Sequence, residues 1–322
     1  MVTPEAVADE RKVRWGIIST ADIGMKKVTP AIQRASNSVV AAIASRSAAG
    51  ATDAASELGI PTAYDSYEAL VADETIDAVY IPLPNDLHAE WTIRAAEAGK
   101  HVLCEKPLAM SSAQAQEMVD ACADAGVLLQ EAFMYRHHPS WVKTIRLVRS
   151  GAIGTVQAVS AAFSYYNDDS SNIRNRLENG GGAVMDIGCY PINVARLVFE
   201  SEPDDLASVV RRDPRMGIDI VTSAVLGFPG GGQASFTCST RAEDYQRVHI
   251  LGTDGRIEIE IPFNIPPNRE TRTRWCARSR ASTPTGCPRR RRAASPSSWA
   301  SRRWTSPAGC AWAWSTCRAT RR

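Results

Sequence analysis

From Val13 to about residue 130, short apolar runs alternate with stretches of helical spacing. Val13–Ile18 is mostly apolar and ends in the small-residue turn Ser19-Thr20-Ala21-Asp22, after which helical spacing runs from Ile23 to about Ala35. Val39–Ala44 predicts a second strand, and a helix around Ala51–Leu58 leads to a third at Thr62–Tyr64. Asp65 and Ser66 can cap a short helix reaching about Val71. Ala78–Leu83 reads as the fourth strand, and Asn85 is placed to cap a helix that Gly99 closes. His101–Cys104 is the fifth strand, Ser111 and Ser112 open a helix ending at Gly126, and Val127–Gln130 is the sixth strand. Strands alternating with helices through short connections predict an α/β fold built on a doubly wound parallel sheet of Rossmann type.

After Trp141 the pattern changes. A helix around Ser140–Ser150 precedes a strand near Val156–Ser164, a polar loop, three consecutive glycines (Gly180, Gly181, Gly182) and a helix from about Ala183 to Phe199. From Leu206 on, the alternating runs LASVVRR, DIVTSAVLGF, GQASFTCST, RVHILG and RIEIEI read as successive strands with turns at Pro-Gly-Gly-Gly and Thr-Asp-Gly. This predicts an α+β region with a large open, mostly antiparallel sheet. If helices cover one face of that sheet, the other is a candidate homodimer interface.

The length of 322 residues fits two domains, and an apolar share of 44% can build their cores. No apolar run approaches the roughly 18 residues that span a bilayer, and the polar start MVTPEAVADERK has no hydrophobic signal core. A soluble, cytoplasmic protein is expected.

The formal net charge of +2 conceals a division. Of the 37 Lys and Arg, 13 fall in residues 271–322, all as Arg and with no acidic residue beside them; residues 1–270 keep 24 against all 35 acids, a net of −11. The tail uses only Thr, Arg, Trp, Cys, Ala, Ser, Pro and Gly, so it has no aliphatic residue larger than Ala from which to build a core. Those eight are the amino acids with G or C at the second codon position, which is what a GC-rich gene yields when read one base out of frame. The run Arg289–Arg292 would attract phosphate. The absence of Lys, Asn, Gln and every acid follows from a frameshift and not from nucleic-acid binding, so a nucleic-acid partner is not expected. The organisation read from the chain is therefore a nucleotide-binding domain (1–130), a substrate and dimerisation domain (131–270) and an aberrant, disordered tail (271–322). Cys104, Cys122, Cys189 and Cys238 are scattered without a CxxC motif, which predicts free thiols and no metal site.

Candidate chemistry gathers at the strand ends. The fingerprint G-x-G-x-x-G would fall on Ser19, Ala21 and Gly24, with two glycines replaced by the next-smallest residues; a pyrophosphate could still approach the backbone there. The end of the second strand carries Ser45-Arg46 where an NAD site would place a carboxylate, and a hydroxyl with a guanidinium suits a 2′-phosphate, so NADP is favoured over NAD. Lys106, in Glu105-Lys106-Pro107, begins where the fifth strand ends and is poised over the crevice. Asn85 and His88 lie at another junction on the same edge. Asp186 and Tyr190, four residues apart, share one helical face. Taken singly, each has a plainer reading: an ordinary strand-to-helix turn, a surface arginine or lysine, a packed histidine, a solvated stripe.

Together the segments WGIISTADIG, ASRS, PLPNDLHAEW, HVLCEKPLA, EAFMYRHHP and GGGAVMDIGCYP closely resemble the glucose–fructose oxidoreductase / inositol dehydrogenase / rhizopine-catabolism (Gfo/Idh/MocA) family, especially its NADP-dependent D-xylose dehydrogenase and dimeric dihydrodiol dehydrogenase branch. The resemblance covers residues 13 to about 270. It implies hydride transfer between nicotinamide and a sugar or related hydroxyl carbon: an aldose such as D-xylose or D-glucose oxidised to a lactone, or a trans-dihydrodiol. It implies Lys106 as the catalytic-centre lysine, Tyr190 as general acid/base with its pKa lowered by Lys106, and Asp186 as the residue orienting substrate hydroxyls. Ser19, Thr20, Ala21, Ile23, Ser45, Arg46, Leu83, Asn85, His88 and Glu105 would line the cofactor, with Tyr135, Arg136 and Arg174 near the substrate. The alternative is a non-catalytic, NADP-sensing regulator on the same fold, or an enzyme inactivated by its altered carboxyl terminus.

Overall fold

A computed structural model describes residues 11–266 and 270–277. The near-continuous apolar runs of the first half become strands buried on both faces, as a parallel sheet covered by helices requires. β1 (Val13–Ile18) is buried at its last three positions, β2 (Ser38–Ala44) from Val40 onward, and β4 (Ala78–Ile81) throughout. With β3 (Thr62–Tyr64), β5 (His101–Cys104) and β6 (Leu129–Glu131) they form a six-stranded sheet in the order β3-β2-β1-β4-β5-β6, parallel at every pairing. Strand order runs outward in opposite directions from the β1/β4 pair, so the crevice for a ligand opens at their carboxyl ends. β4 stops at Ile81, short of the expected Leu83, because Pro82 lacks the N–H that would extend the ladder.

Helices α2 (Ala48–Leu58), α3 (Tyr67–Ala72) and α5 (Ser112–Asp124) each begin after a serine, Ser47, Ser66 and Ser111, whose hydroxyl accepts from the backbone N–H three residues on. Such a cap contributes about 1 kcal/mol. Asn85 does not cap α4 (His88–Glu97). It sits in a short 3₁₀ turn, and its amide instead reaches across to donate to Gly180 O at 3.1 Å. The helix after β1 starts as a widened π-type segment, Gly24–Val28, before α1 (Thr29–Arg34).

Among the described residues the second sheet has seven strands: β7 (Val156–Tyr166), β8 (Asp205–Arg212), β9 (Asp219–Gly227), β10 (Gln233–Ser239), β11 (Arg241–Gly252), β12 (Gly255–Ile259) and β13 (Thr273–Ala277). Their order is β13-β12-β11-β7-β10-β9-β8, with β7–β10 parallel and the other pairings antiparallel. The core against α6 (Pro139–Arg149) and α7 (Cys189–Phe199) contains Phe163, Tyr190, Val194, Phe236 and Ile250. Its centre is aromatic. Phe263 stacks on Phe163 at 5.0 Å and lies 5.1 Å from Tyr190, while Trp141 Nε1 donates to Pro262 O at 2.7 Å. β7 continues to Tyr166, beyond the expected Ser164, and its period of two puts Tyr165 on the same face as Phe163.

β13 lies in the segment 271–322 that composition reads as outside the fold. It pairs with β12 through its backbone, and all five of its residues are exposed. A ladder needs only N–H and C=O groups, so a short segment poor in aliphatic residues can add an edge strand without adding to the core. The rest of the expected tail, from residue 278, lies outside the described residues.

Candidate active site

β5 ends at Cys104 and delivers Glu105 and Lys106 to the crevice edge, where the Lys106–Pro107 peptide is cis. The Tyr80 hydroxyl, from β4, donates to Glu105 Oε1 at 2.8 Å, and Glu105 Oε2 accepts from Lys106 N at 3.2 Å, so the carboxylate braces the turn that presents the lysine. Lys106 Nζ crosses to the second region. It donates to Asp186 O at 2.6 Å and to Asp186 Oδ1 at 3.2 Å, and it lies 5.2 Å from the centre of the Tyr190 ring. Both charged side chains are nearly enclosed, Lys106 14% and Asp186 10% exposed.

Asp186 is held from three sides. Arg174 Nε donates to Oδ1 at 3.2 Å, and the Tyr165 hydroxyl donates to Oδ2 at 2.5 Å. Asp186 stands in a π-type turn, Val184–Gly188, that precedes α7, and Tyr190 is in the first turn of α7. The three glycines before it meet protein: a Cβ on Gly181 would come within 2.5 Å of Arg174 O, and one on Gly182 within 2.2 Å of Asp219 Oδ1. They let the loop fold onto itself and so set Arg174 beside Asp186.

Burial alone would depress the Lys106 pKa, but the Asp186 carboxylate, with Tyr190, Cys189 and Glu105, holds it well above the ordinary value. Burial would likewise raise the Asp186 carboxyl; Lys106, Arg174 and the Tyr165 hydroxyl keep it below the usual range. Tyr190 corrects the expectation of a lowered phenol pKa. Burial pushes it up, and the opposing Lys106 charge does not offset that. The cation faces the ring, while the Tyr190 hydroxyl reaches Met134 Sδ at 3.8 Å.

The expected cofactor residues divide in two. Ser19, Thr20 and Ala21 form the turn at the end of β1, and the first-turn N–H groups of Asp22, Ile23 and Gly24 have no partner within their own helix. Ser19 takes a φ of 112° at the fingerprint position usually held by glycine, and its hydroxyl accepts from Ala21 N at 3.0 Å. Ser45 follows β2, and Arg46 is exposed, with no hydrogen bond or ion pair among the described residues. Leu83 and His88 stand behind the surface. Leu83 is buried, and His88, fully buried, lies 2.8 Å from Leu83 O through Nε2 and 2.9 Å from Pro107 O through Nδ1. His88 therefore ties the β4 and β5 ends together rather than lining the crevice.

Two of the three expected substrate residues are not brought to the cluster. Tyr135 is buried in the aromatic core with its hydroxyl on Asn193 Oδ1 at 2.5 Å. Arg136 lines a separate groove of about 670 Å³ with Val142, Ile145, Arg149 and Leu197. Only Arg174 reaches Asp186. The residues missed in the sequence are Tyr165 and Tyr80. The alternation of VQAVSAAFSYY already puts Tyr165 in phase with buried Phe163, whereas Tyr80 lies in an all-buried run without alternation.

A parallel sheet that sends a lysine from its carboxyl edge onto an Asp and a Tyr of elements packed on a second, mostly antiparallel sheet is the arrangement of a two-part oxidoreductase. Residues 13–133 match the GFO_IDH_MocA family (oxidoreductase family, NAD-binding Rossmann fold) and residues 141–258 match the GFO/IDH/MocA C-terminal domain. The chain belongs to this family. It is 45% identical to D-xylose 1-dehydrogenase (NADP(+)) 2 of Haloferax volcanii over 84% of this chain and 83% of that one. Among solved structures, a 3-ketoreductase from Actinomadura kijaniata in complex with NADP and TDP-benzene superposes with a TM-score of 0.75 at 31% identity, covering 83% and 85% of the two chains. Aldose-aldose oxidoreductase from Caulobacter crescentus gives 0.77 at 29%, covering 83% and 81%.

Proposed function

We propose that this chain is an NADP-dependent oxidoreductase that moves hydride between nicotinamide and a sugar-type hydroxyl or carbonyl carbon, an aldose or a trans-dihydrodiol being the substrate class. The observation that carries this reading is the Lys106 ammonium, enclosed between the Asp186 carboxylate and the Tyr190 ring where the two sheets meet. Relatives that act on D-xylose with NADP(+) and that bind NADP support it. In the Actinomadura ketoreductase, solved variants replace one lysine and one tyrosine, and these stand as far apart in sequence as Lys106 and Tyr190.

The chain offers what the cofactor needs. Small side chains at Ser19, Thr20 and Ala21 and the free first-turn N–H groups fit a pyrophosphate, and the uncommitted Arg46, with no carboxylate beside it, fits a 2′-phosphate. When bound, NADP supplies the hydride donor or acceptor. Lys106 holds the reacting oxygen of the substrate and stabilises negative charge on it, and Asp186 orients the neighbouring hydroxyls. Tyr190, a phenol whose pKa burial raises further, gives its proton to a carbonyl oxygen during reduction. The oxidative direction starts from the Tyr190 phenolate, its own proton having passed to solvent; the phenolate takes the substrate's O–H proton as the C–H leaves as hydride, and an aldose becomes a lactone.

Residues 1–130 are assigned to cofactor binding and 131–270 to substrate binding and dimerisation. No helix among the described residues is long and apolar enough to cross a membrane, and a cytoplasmic homodimer joined through the outer face of the second sheet completes the reading. That face exposes Val209 (78%), Val225 (49%) and Leu251 (42%). The test is titration with NADPH and NADH by nicotinamide fluorescence, followed by turnover on an aldose and diol panel. NADPH preference and turnover of one substrate class are expected; stronger binding of NADH would overturn the cofactor assignment. Tyr190→Phe should lose about 10²-fold or more in turnover, and near-full activity would remove Tyr190 from its role.

A further inference from the structure

Asp186 has one anchor that neither Lys106 nor Arg174 explains. The Tyr165 ring packs against the aromatic core at the end of β7, and its hydroxyl meets Asp186 Oδ2 at 2.5 Å. Both cations use the other oxygen: Lys106 Nζ and Arg174 Nε each lie 3.2 Å from Oδ1. They differ in enclosure: the Arg174 side chain is 46% exposed and that of Lys106 14%. A carboxylate turns easily about its last bond, so without a hold on Oδ2 it is free to follow the more exposed arginine outward. Lys106 has three N–H donors and spends two on Asp186, on the backbone O and on Oδ1. The direction of the third depends on where the carboxylate stands.

We propose that Tyr165 is a positioning residue of this site: its hydroxyl pins Oδ2 of Asp186, keeps Oδ1 on Lys106, and so aims the remaining Lys106 proton at the substrate oxygen. This rests on the function proposed above and extends it to a residue that the sequence motifs do not contain. Tyr165 reaches the reacting atoms only through Asp186. The groups around that carboxylate are Tyr165 from β7, Lys106 and Glu105 after β5, Arg174 from the loop, Cys189 and Tyr190 from α7, and Asp219 of β9, which accepts from Val184 N at 2.9 Å. The Tyr165 bond is one of the contacts that keep the Asp186 carboxyl low against burial, and its removal raises that pKa.

The test compares Tyr165→Phe with Tyr166→Phe, whose exposed hydroxyl bonds Asp168 away from the site. Tyr165→Phe should lower kcat about 10-fold, the scale of a small misplacement of a reacting group, with KM and NADPH binding nearly unchanged. The acid limb of its pH profile should move to higher pH. Tyr166→Phe should do neither. In an Asp186→Asn background, adding Tyr165→Phe should cost nothing further; an equal loss there would show that Tyr165 acts by another route and overturn the proposal. A kcat within twofold of the parent and an unmoved acid limb would also overturn it. If the parent turns over no sugar or diol, the function has failed and the positioning is read from Lys106 itself, through its acylation rate by an amine-directed reagent followed by mass spectrometry. Slow labelling that quickens several-fold in Tyr165→Phe supports the proposal, and equal rates overturn it. Should Tyr165→Phe fail to fold, the same labelling on Asp186→Asn decides: quicker labelling supports the chain from carboxylate to lysine, and an unchanged rate breaks it.

Discussion

The two sheets bury their residues differently. In the first, β4 is buried at all four positions and the side chains serve packing, so what remains accessible is at the carboxyl edge: the small residues Ser19, Thr20 and Ala21 after β1, and exposed Arg46 after β2. In the second, β9 and β10 alternate, β8 is exposed at all eight positions, and the covered face carries polar groups as well as core. Asp186 and Tyr190 come from elements packed on that face, and Tyr165 from β7 of the sheet itself. A sheet covered on both sides offers its edge to a ligand, and a sheet covered on one side offers side chains. Lys106 is the exception, a side chain sent from the edge of the first into the second.

Removing Lys106 should have the largest effect. Lys106→Ala should cut turnover about 10³-fold, within the range expected when a group that handles charge and proton at the reacting oxygen is lost. NADPH affinity, which the proposed function assigns to the edge of the first sheet, should stay within a few-fold. Parallel loss of cofactor binding and turnover would show that the two halves do not divide the work this way.

Phe263→Ala attacks the second sheet alone. Phe263 is 1% exposed and touches Phe163, Tyr135 and Tyr190 with ring centres 5.0 to 5.7 Å away. Truncating such a ring costs about 3–5 kcal/mol, read as a fall in the denaturant midpoint. Since the lost cavity lies under Tyr190, turnover should fall further than NADPH affinity in whatever remains folded. A loss below about 1 kcal/mol would mean that the aromatic centre collapses to fill the hole.

The same contrast explains what the chain's pattern reveals. All six strands of the first sheet are legible within a few residues, because each is a short segment set off by a Gly, Pro or Ser stop, most of them apolar, and its serine caps are readable at Ser66 and Ser111. The alternating strands of the second sheet are legible too, and Lys106, Asp186 and Tyr190 do come together as the motifs imply. Long-range partners are not written in local pattern. Nothing near Asn85 tells that its amide crosses to Gly180, and nothing near His88 that each ring nitrogen lies beside a backbone carbonyl. Tyr135 and Arg136 are neighbours in the sequence, yet one is in the core and the other in a separate groove. The Tyr190 phenol departs from expectation for a related reason: proximity to a cation is readable from the motif, but the burial that outweighs it belongs to the folded core.

Arg46→Ala sharpens the comparison from the cofactor side. Arg46 has no protein partner among the described residues, so its removal should leave stability unchanged and weaken NADPH binding about 10-fold through loss of the charge-assisted phosphate contact. NADH binding, which lacks the 2′-phosphate, should be unmoved. Equal weakening of both would place Arg46 on the pyrophosphate or on neither.

Ser19→Gly should give the smallest effect, and it tests whether the edge of the first sheet works by backbone alone. Ser19 adopts a φ of 112°, a region where a side chain costs roughly 1–3 kcal/mol. Glycine removes that strain, but it also removes the hydroxyl that accepts from Ala21 N, a bond contributing about 1 kcal/mol. It adds about 0.4–1 kcal/mol of unfolded-chain freedom as well. These contributions nearly cancel, so the unfolding free energy should move by less than about 1 kcal/mol. Cofactor binding should respond differently, because the substitution frees the Ala21 N–H at the place where a pyrophosphate would approach. NADPH affinity should therefore rise by a few-fold, about 0.5–1 kcal/mol. A large loss of stability would mean that the serine bond matters more than the strain it accompanies. An unchanged affinity would mean that the Ala21 N–H does not meet the phosphate, leaving the first-turn groups of Asp22, Ile23 and Gly24 to hold it.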